Sequence, residues 1–252
     1  MSDSKKKIKV MSKDSRKRLQ KDIIDIIKNP LTEHGIYYTH DDSNMLKGYA
    51  VIFGPTDTIY RYGAYMFEFK FPSNYPVSPP KLTYLTNDGS TRFHPNLYRN
   101  GKVCLSVLNT WRGEGWTSCQ TIRSILLILV TLFHNKPLLN EPGIKETHHS
   151  FKPYNKIITY RNVEHSIIKT FWTGMMENGG PVHLSWFFPF YKKYINEHKD
   201  DIIKYIQELN EDKEKNGTFS TSIYGLNCKT QYDKMLTNFK TIFKDCSYFT
   251  NN

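Results

Sequence analysis

The sequence predicts an α+β fold with an N-terminal helix, an antiparallel sheet and one central buried helix, followed by a helical C-terminal extension. Residues 119–134 leave almost no polar face on a helix, and such a helix is typical of the centre of a domain. Residues 36–85 contain short β-branched and aromatic runs with turn residues between them, which favours hairpin-linked strands with one face to be covered. Beyond residue 146, apolar side chains recur at helical spacing.

The first predicted helix runs from residue 15 to residue 28. Ser15 is its predicted N-cap, because a serine hydroxyl can accept a hydrogen bond from the first turn. Pro30 ends the helix. One apolar face is formed at spacings of three and four by Leu19, Ile23, Ile26 and Ile27.

Strands are predicted near residues 45–53 and 64–71. The prolines at positions 76, 79 and 80 then exclude regular structure and predict an extended surface segment, in which an X-Pro bond can be cis. The central helix is predicted over residues 119–134, with Thr117 or Ser118 as its N-cap. This places Cys119 in the first turn, where the helix dipole favours a thiolate.

The C-terminal extension is predicted to contain two amphipathic helices separated by a break at residues 179–181. An exposed loop is predicted at residues 210–217 and a last short helix at 234–243. The many aromatic residues of the extension are interpreted as core packing against the preceding domain, and a face for a specific partner is the alternative. The predicted boundaries are a flexible basic tail at 1–14, a core domain at 15–150 and the extension at 151–252.

Composition and charge exclude several classes of protein. With 252 residues, 38% hydrophobic and 14% aromatic, the chain can bury a large core and is not of the disordered type. No apolar run reaches about 18 residues and no leader-like segment opens the chain, so no membrane span or signal peptide is predicted. The four cysteines form no CxxC pair or disulfide-dense pattern, which favours a reducing compartment, the cytoplasm or the nucleus.

The net charge of +11 is concentrated at the N-terminus, because residues 1–30 hold ten Lys and Arg against four Asp. Lysines 5–9 are interpreted as part of a solvated tail. Arg16, Lys17, Arg18 and Lys21 fall on the predicted first helix, where they are candidates to meet an acidic partner protein. No nucleic-acid interface is predicted, because no basic motif with interleaved aromatic residues accompanies the charge.

Residues 93–116 form the candidate functional segment. Cys104 follows Asn96 by eight residues in a stretch dense with turn formers, where no helical or strand period survives. A thiolate beside an amide side chain suits acyl transfer through a thioester, since an amide N–H can stabilise the oxyanion that forms. From the spacing alone a buried structural cysteine is favoured, because that is the usual state of a free Cys and single-cysteine signatures do not transfer between families. The catalytic interpretation requires an accessible sulfur held in a stiff loop.

The motifs around this thiol resemble those of the ubiquitin-conjugating enzymes. His94-Pro95-Asn96 followed by Cys104-Leu105 is similar to the active-site signature of that family, and residues 71–81 resemble its proline-rich segment. Residues 98–106 and 140–143 are similar to the large Z-type members, which have an extra C-terminal region. The resemblance extends over about residues 16–143. It implies the family fold, with an N-terminal helix, a four-stranded antiparallel sheet and a central helix.

The resemblance also implies roles for five residues. Cys104 would accept the C-terminal acyl group of ubiquitin or a ubiquitin-like protein as a thioester and pass it to lysine amines. Asn96 would steady either the oxyanion or the loop, while His94 would brace the turn rather than act as a base. Asn140 and Glu141 occupy the neighbourhood of the family's gate residues. Glu141 would help deprotonate the incoming amine, unless it is a solvated loop carboxylate.

Four positions depart from the family pattern. Ser106 replaces an aspartate that many relatives carry, and His94 stands where Z-type members tend to have asparagine. Glu114 and Val77 stand where relatives present a Pro-Ala pair and a bulky aromatic to ubiquitin ligases. Contact with ligases of the usual kind is therefore in question.

The partners implied by the resemblance are ubiquitin or a ubiquitin-like protein, an activating enzyme that docks on the first helix, a ubiquitin ligase and protein substrates. Z-type relatives use a dedicated activating enzyme and can accept a second modifier. ATP and magnesium belong to the activating step, so neither a bound cofactor nor a metal site is predicted. Two alternatives remain: a catalytically weak ubiquitin-binding scaffold of the same fold, and a hydrolytic cysteine enzyme.

Overall fold

The computed structural model describes residues 11–175 and 182–245, and a four-stranded antiparallel sheet forms the centre of its N-terminal part. The predicted tail lies mostly outside the described residues, and so do the predicted break at 179–181 and Cys246. The helices are α1 Lys13–Lys28, α2 Ile122–Val130, α3 Phe151–Arg161, α4 Thr170–Met175, α5 Val182–Glu211 and α6 Tyr232–Asp245. The strands are β1 Ile36–His40, β2 Lys47–Phe53, β3 Ala64–Lys70, β4 Lys81–Tyr84, β5 Thr218–Ser220 and β6 Asn227–Lys229.

Strands β1 to β4 form a meander in chain order, as predicted. In its register, Ile52 of β2 lies between Ile36 of β1 and Tyr65 of β3. Strand β2 begins at Lys47 rather than at residue 45, because the Asn44 side chain accepts a hydrogen bond from the backbone of Leu46 and holds a turn there. The proline-rich segment lies between β3 and β4, and the prediction that it is extended is wrong. Residues 73–77 form turns closed by backbone hydrogen bonds from Tyr75 to Pro72 and from Val77 to Asn74, and Tyr75–Pro76 is a cis peptide bond.

The N-cap of helix α1 lies three residues before the predicted cap, Ser15. Ser12 is the N-cap, since its hydroxyl accepts from the backbone N–H of Ser15 at 3.1 Å. Leu19 and Ile26 are buried as predicted, whereas Ile27 is 58% exposed. Only one narrow stripe of the helix faces the domain, so the prediction that Ile27 belongs to the core is wrong.

Helix α2 is shorter than the predicted span of residues 119–134. Thr121 is its N-cap and forms a capping box with Ser124, so neither Thr117 nor Ser118 caps the helix. The chain leaves the helix after Val130, and residues 131–134 form turns. One face is fully buried, through Ile122, Ile125, Leu126 and Leu129. The other face is only partly covered, so the helix is central without being buried on all sides.

The C-terminal extension packs on the open face of the sheet. The ring of Tyr194 in α5 stacks on Phe53 of β2 with 3.8 Å between centroids. Phe190 lies 5.3 Å from Tyr37 of β1, measured between ring centroids. One continuous hydrophobic core runs from Leu19 to Ile242. Tyr194 thus packs on the sheet as the core interpretation predicts, whereas Phe190 is 43% exposed and touches the sheet at its edge strand.

A π-helical segment, Asn162–Lys169, joins α3 to α4 without a break in the helix. Each π turn leaves backbone carbonyls without their usual helical partner. Tyr191 of α5 supplies a hydrogen bond here, since its hydroxyl lies 3.0 Å from the carbonyl oxygen of Ser166 and 2.6 Å from that of Ile167. The sequence carries no local signal for this segment.

Strands β5 and β6 form a short hairpin that the sequence analysis missed, because three-residue strands are too brief to show a period of two. The predicted loop at 210–217 begins at residue 212, after α5, and the last helix α6 starts two residues before its predicted position. None of the described helices combines the length and apolar character needed to cross a bilayer.

Candidate active site

Asn96 and Cys104 are brought together by the chain that connects β4 to α2. Leu97 forms isolated β-bridges with His94 and Val103, which fold the segment back on itself. The backbone N–H of Cys104 then donates to the carbonyl oxygen of Asn96 at 2.9 Å. The eight-residue spacing therefore places the backbone of Cys104 next to Asn96 in space.

The Asn96 side chain joins two loops. Its amide nitrogen donates to the carbonyl oxygen of Cys104 at 2.6 Å, and its side-chain oxygen accepts from Nδ2 of Asn140 at 3.2 Å. Asn140 ends a short 3₁₀ turn, Pro137–Asn140, after α2. The asparagine is itself buried. These contacts place Asn96 where it stabilises the loop around the thiol.

A second brace of the thiol loop is Thr110, which the sequence analysis did not single out. Its hydroxyl lies 2.9 Å from the backbone nitrogen of Leu105 and 2.9 Å from the carbonyl oxygen of Val103. The residues on both sides of Cys104 are therefore tied to one side chain. The expectation of a stiff loop agrees with this geometry.

The expectation of an accessible sulfur is wrong for this conformation, because Cys104 is only 1% exposed. The residue is nevertheless outside the hydrophobic core cluster. Its neighbours include the polar side chain of Asn96, and residues 109–115 beyond it are exposed. Cys104 is thus buried outside the apolar core cluster and five residues before an exposed segment, 109–115.

His94 is completely buried and accepts a hydrogen bond at Nδ1 from the backbone of Asn96, 3.0 Å away. Burial lowers the pKa of His94 well below its usual value, and the neighbouring His134 and Arg92 lower it further. Its other ring nitrogen, Nε2, has no hydrogen-bond partner among the described residues. A neutral, enclosed imidazole with one nitrogen committed to the turn fits a brace and not a base.

Glu141 is half-buried and its carboxylate accepts a hydrogen bond from the hydroxyl of Tyr224. Of the two interpretations, a solvated loop carboxylate is therefore wrong. Tyr224 lies in the turn between β5 and β6, 83 positions along the chain. No local pattern links such distant residues, which is why the sequence analysis missed this tyrosine.

The family to which the chain belongs follows from sequence comparison. The family described as Ubiquitin-conjugating enzyme matches residues 18–161, more than half of the chain. The chain belongs to the ubiquitin-conjugating enzyme family. The observed helix, antiparallel meander and second helix agree with the fold that the resemblance implied.

Individual relatives confirm the resemblance to Z-type members. Ubiquitin-conjugating enzyme E2 Z of Xenopus tropicalis is 40% identical over 149 residues, which cover 58% of this chain and 47% of that protein. The Homo sapiens E2 Z is 40% identical over 149 residues, 58% of this chain and 42% of that protein. The solved human Ubiquitin-conjugating enzyme E2 G1 is 28% identical, with a TM-score of 0.40, and the match covers 46% of this chain and 90% of that one. The chain thus matches less than half the length of these E2 Z proteins.

Within this ubiquitin-conjugating fold, the argument for Cys119 as a competing nucleophile fails. Cys119 is exposed but lies three residues before the first residue of α2, Ile122, so it gains nothing from the first turn. Cys228 is buried on β6, and burial raises the pKa of its thiol to about 11. A structural role for Cys228 is consistent with that environment.

Three of the four basic residues predicted on the first helix are exposed: Arg16, Lys17 and Lys21. Arg18 instead turns inward. Its Nε lies 3.0 Å from the carboxylate of the buried Asp22, and its other nitrogens donate to the backbone carbonyls of Ser118 and Gln120. Arg18 is therefore an internal strut between α1 and the segment before α2, and its assignment to a docking surface is wrong.

Val77 and Glu114, the residues at the expected ligase-contact positions, are both exposed, and Val77 is 73% accessible. The indole N–H of Trp116 donates to the carbonyl oxygen of Pro76 at 2.7 Å and joins the two loops that carry them. Within residues 11–175 and 182–245, no group of three or more His, Cys, Asp or Glu is arranged to hold a metal.

Proposed function

We propose that the chain is an active ubiquitin-conjugating enzyme that carries ubiquitin or a ubiquitin-like protein on Cys104. The observation that carries this proposal is the Asn96–Cys104 pair, held by one backbone and one side-chain hydrogen bond inside the segment that bears the family's motif. Such positioning of a thiol near an amide suits acyl transfer.

In the first step, the Cys104 thiolate attacks the thioester carbonyl of the charged activating enzyme. A new C–S bond forms, the activating enzyme's thiol leaves, and one thioester replaces another. In the second step, a lysine amine attacks the same carbonyl, the Cys104 thiolate leaves, and the amine loses one proton as the isopeptide bond forms. Because the thiol is covered, both steps require the adjoining loops to move.

Asn96 serves these steps by holding the loop, since one of its amide hydrogens is committed to the Cys104 carbonyl. His94 braces the turn through its Nδ1. Glu141, on the loop next to Asn140, orients the lysine amine or takes its proton when the site opens. Ser106 supplies no carboxylate at the position where many relatives carry one, which leaves this task to Glu141.

The activating enzyme is proposed to dock on the outer face of α1. Arg16, Lys17 and Lys21 are exposed there, and Ile24 adds an apolar side chain that is 51% exposed. Basic charge beside apolar surface suits an acidic partner with an apolar contact. A ligase, where one acts, would contact Val77 and Glu114. The chain itself binds no cofactor, ATP and magnesium serve the activating enzyme, and the cytoplasm or nucleus is the proposed location.

A catalytically weak scaffold is the second candidate, and the 1% exposure of Cys104 favours it. A hydrolytic cysteine enzyme has no such support, since His94 is enclosed and neutral and its Nδ1 is taken by the turn.

Incubation of the full chain with activating enzyme, ATP, magnesium and ubiquitin tests the proposal. An adduct that reductant removes is expected on wild-type protein and on the Cys119→Ser variant, which is the matched control. Cys104→Ser is expected to give no adduct, or an ester that resists reductant. An undiminished reductant-sensitive adduct on Cys104→Ser would refute the assignment of Cys104. If the wild-type protein binds ubiquitin without forming any adduct, the scaffold function is supported instead.

A further inference from the structure

The turn between β5 and β6 brings the end of the C-terminal extension to the thiol loop. Tyr224 in this turn has a φ of 63° and a ψ of 0°. Left-handed backbone is unfavourable for a residue with a bulky side chain, by about 1 kcal/mol or more. It persists where surrounding contacts hold it in place, and Tyr224 makes several.

Three groups of the core domain hold Tyr224. Its hydroxyl donates to the Glu141 carboxylate, and its carbonyl oxygen accepts from the guanidinium of Arg99. The guanidinium of Arg92 lies 5.0 Å from the centroid of its ring and 3.3 Å from that of Tyr98. The side chain is thus fixed at its tip, at its ring and through its backbone.

Ser222 anchors the start of the same turn. Its hydroxyl lies 2.8 Å from Nε2 of His149 and 3.1 Å from the hydroxyl of Ser150, just before α3. The turn is therefore attached to the core on two sides. The two attachments fix the position of Tyr224 relative to the core domain.

A short series of bonds leads from Tyr224 to the backbone of Cys104. Glu141 follows Asn140 directly, Asn140 donates to Asn96 at 3.2 Å, and Asn96 donates to the carbonyl of Cys104 at 2.6 Å. We define residues 137–141 as the gate loop. Through its last two residues, Asn140 and Glu141, the gate loop is thus bonded both to Asn96 and to the extension.

Tyr224 remains a hydrogen-bond donor throughout the working pH range. Burial raises the pKa of its hydroxyl well above the usual value, and the hydrogen bond and charge of Glu141 raise it further. A neutral phenol holds the carboxylate without forming an ion pair, and the bond can be released without separating two charges.

We propose that Tyr224 is a positioning residue of the transfer reaction, which holds Glu141 and keeps the gate loop closed over Cys104. The effect on transfer rests on the proposed function. The closure of the gate loop does not depend on it. Loss of the phenol hydroxyl is expected to make Cys104 more accessible and, at the same time, to slow transfer to lysine, because Glu141 is no longer oriented. General damage to the fold would expose the buried Cys228 as well, so an unchanged Cys228 separates the two cases.

The test measures alkylation of the full-length protein by N-ethylmaleimide at each cysteine, with peptide mass spectrometry. The exposed Cys119 is the internal reference for reagent, and the buried Cys228 on β6 reports loosening of the hairpin. In Tyr224→Phe, the alkylation rate of Cys104 relative to that of Cys119 is expected to rise about tenfold. Loss of one hydrogen bond to a charged group makes local opening of the loop easier by about this factor. The rate at Cys228 is expected to stay unchanged.

Glu141→Ala is expected to give the same rise, and the double variant no further rise, because both substitutions break one bond. Tyr98→Phe is the matched control, since it removes a phenol hydroxyl from the other side of Arg92. Arg99→Ala, which frees the Tyr224 carbonyl, is a second variant expected to act in the same direction.

An unchanged Cys104 rate in Tyr224→Phe overturns the proposal, and so does a parallel rise at Cys228 or full additivity with Glu141→Ala. Single-turnover discharge of the Cys104 adduct to free lysine is expected to fall about tenfold in Tyr224→Phe, and unchanged discharge overturns the catalytic part. If wild-type protein forms no adduct at all, the proposed function fails while the alkylation result still decides whether Tyr224 closes the gate loop.

Discussion

The side-chain amide of Asn96 lies 2.6 Å from the carbonyl oxygen of Cys104 and donates to it. This bond points the asparagine at the backbone of the nucleophile's own residue. Two roles are open for such an asparagine, stabilising an oxyanion or stabilising the loop, and the observed contact supports the second. The first would require the amide to turn toward the thioester carbonyl.

Replacing Asn96 by Asp keeps the size of the side chain and removes its donor. We expect transfer from Cys104 to lysine to fall by roughly 10- to 100-fold, since a misplaced reacting group costs up to about that much. Thioester formation is expected to fall less, because the thiol remains. Single-turnover charging and discharge separate the two steps, and Asn210→Asp on the exposed end of α5 is the control. Equal losses in both steps would contradict a loop role.

Burial of neutral histidines predicts a pH-dependent stability. Burial lowers the pKa values of His94, His40 and His165 in the folded state, so the unfolded state binds more protons below about pH 6.5. The free energy of unfolding is therefore expected to fall as the pH drops from about 6.5, by up to about 1.4 kcal/mol per pH unit for each such histidine.

The variant His94→Asn tests this, because an asparagine side chain still presents an acceptor for the Asn96 backbone. Its urea-unfolding free energy, measured between pH 7 and pH 5, is expected to vary less steeply by about one proton. The variant His34→Asn, at an exposed position, is the control. A slope equal to that of wild type would show that His94 does not titrate on unfolding.

The buried carboxylate of Asp22 joins two elements, since it accepts from Arg18 and from the hydroxyl of Tyr75. Asparagine removes the negative charge and replaces one of the two acceptor oxygens with an NH2 donor, so Arg18 and Tyr75 can no longer both keep their bonds. We expect Asp22→Asn to lower the free energy of unfolding by about 2 kcal/mol. Chemical denaturation measures the change, with the exposed Asp14→Asn on the same helix as control. A change as small as that of the control would mean that the ion pair of Asp22 with Arg18, the strut between α1 and residues 118–120, adds no stability.

Tyr191 satisfies carbonyls that the π-helical segment frees. Tyr191→Phe keeps the ring and removes its hydroxyl, so we expect a loss of about 1–2 kcal/mol in unfolding free energy. Tyr194→Phe is the matched control on the same helix, because its contribution is the ring stacked on Phe53. Thermal or urea unfolding of both variants is the measurement, and equal losses would argue against a special role for the π-helical segment.

The sequence predicts features that depend on residues close together in the chain. It does not predict features that depend on contacts between residues far apart in the chain. The meander and the pairing of Asn96 with Cys104 follow from strand periodicity and a short loop. The bounds of α2 were misjudged because Thr121 and Ser124 form a capping box inside an apolar stretch. Ile27 was misassigned because helical spacing cannot tell how wide a buried face is.

The inward turn of Arg18 and the contact of Tyr224 with Glu141 join residues about 100 and 83 positions apart. Neither contact leaves a pattern in a single sequence. The burial of Cys104 likewise could not be read from the sequence, because it depends on the folded chain.

The stacking of α5 on β2 makes the extension part of the catalytic unit's own interior. A chain cut after residue 150 would present Phe53 and Tyr37 to water along a whole sheet surface, and exposed aromatic surface of that kind promotes self-association. The sheet and the extension that covers it are therefore expected to fold as a single cooperative unit.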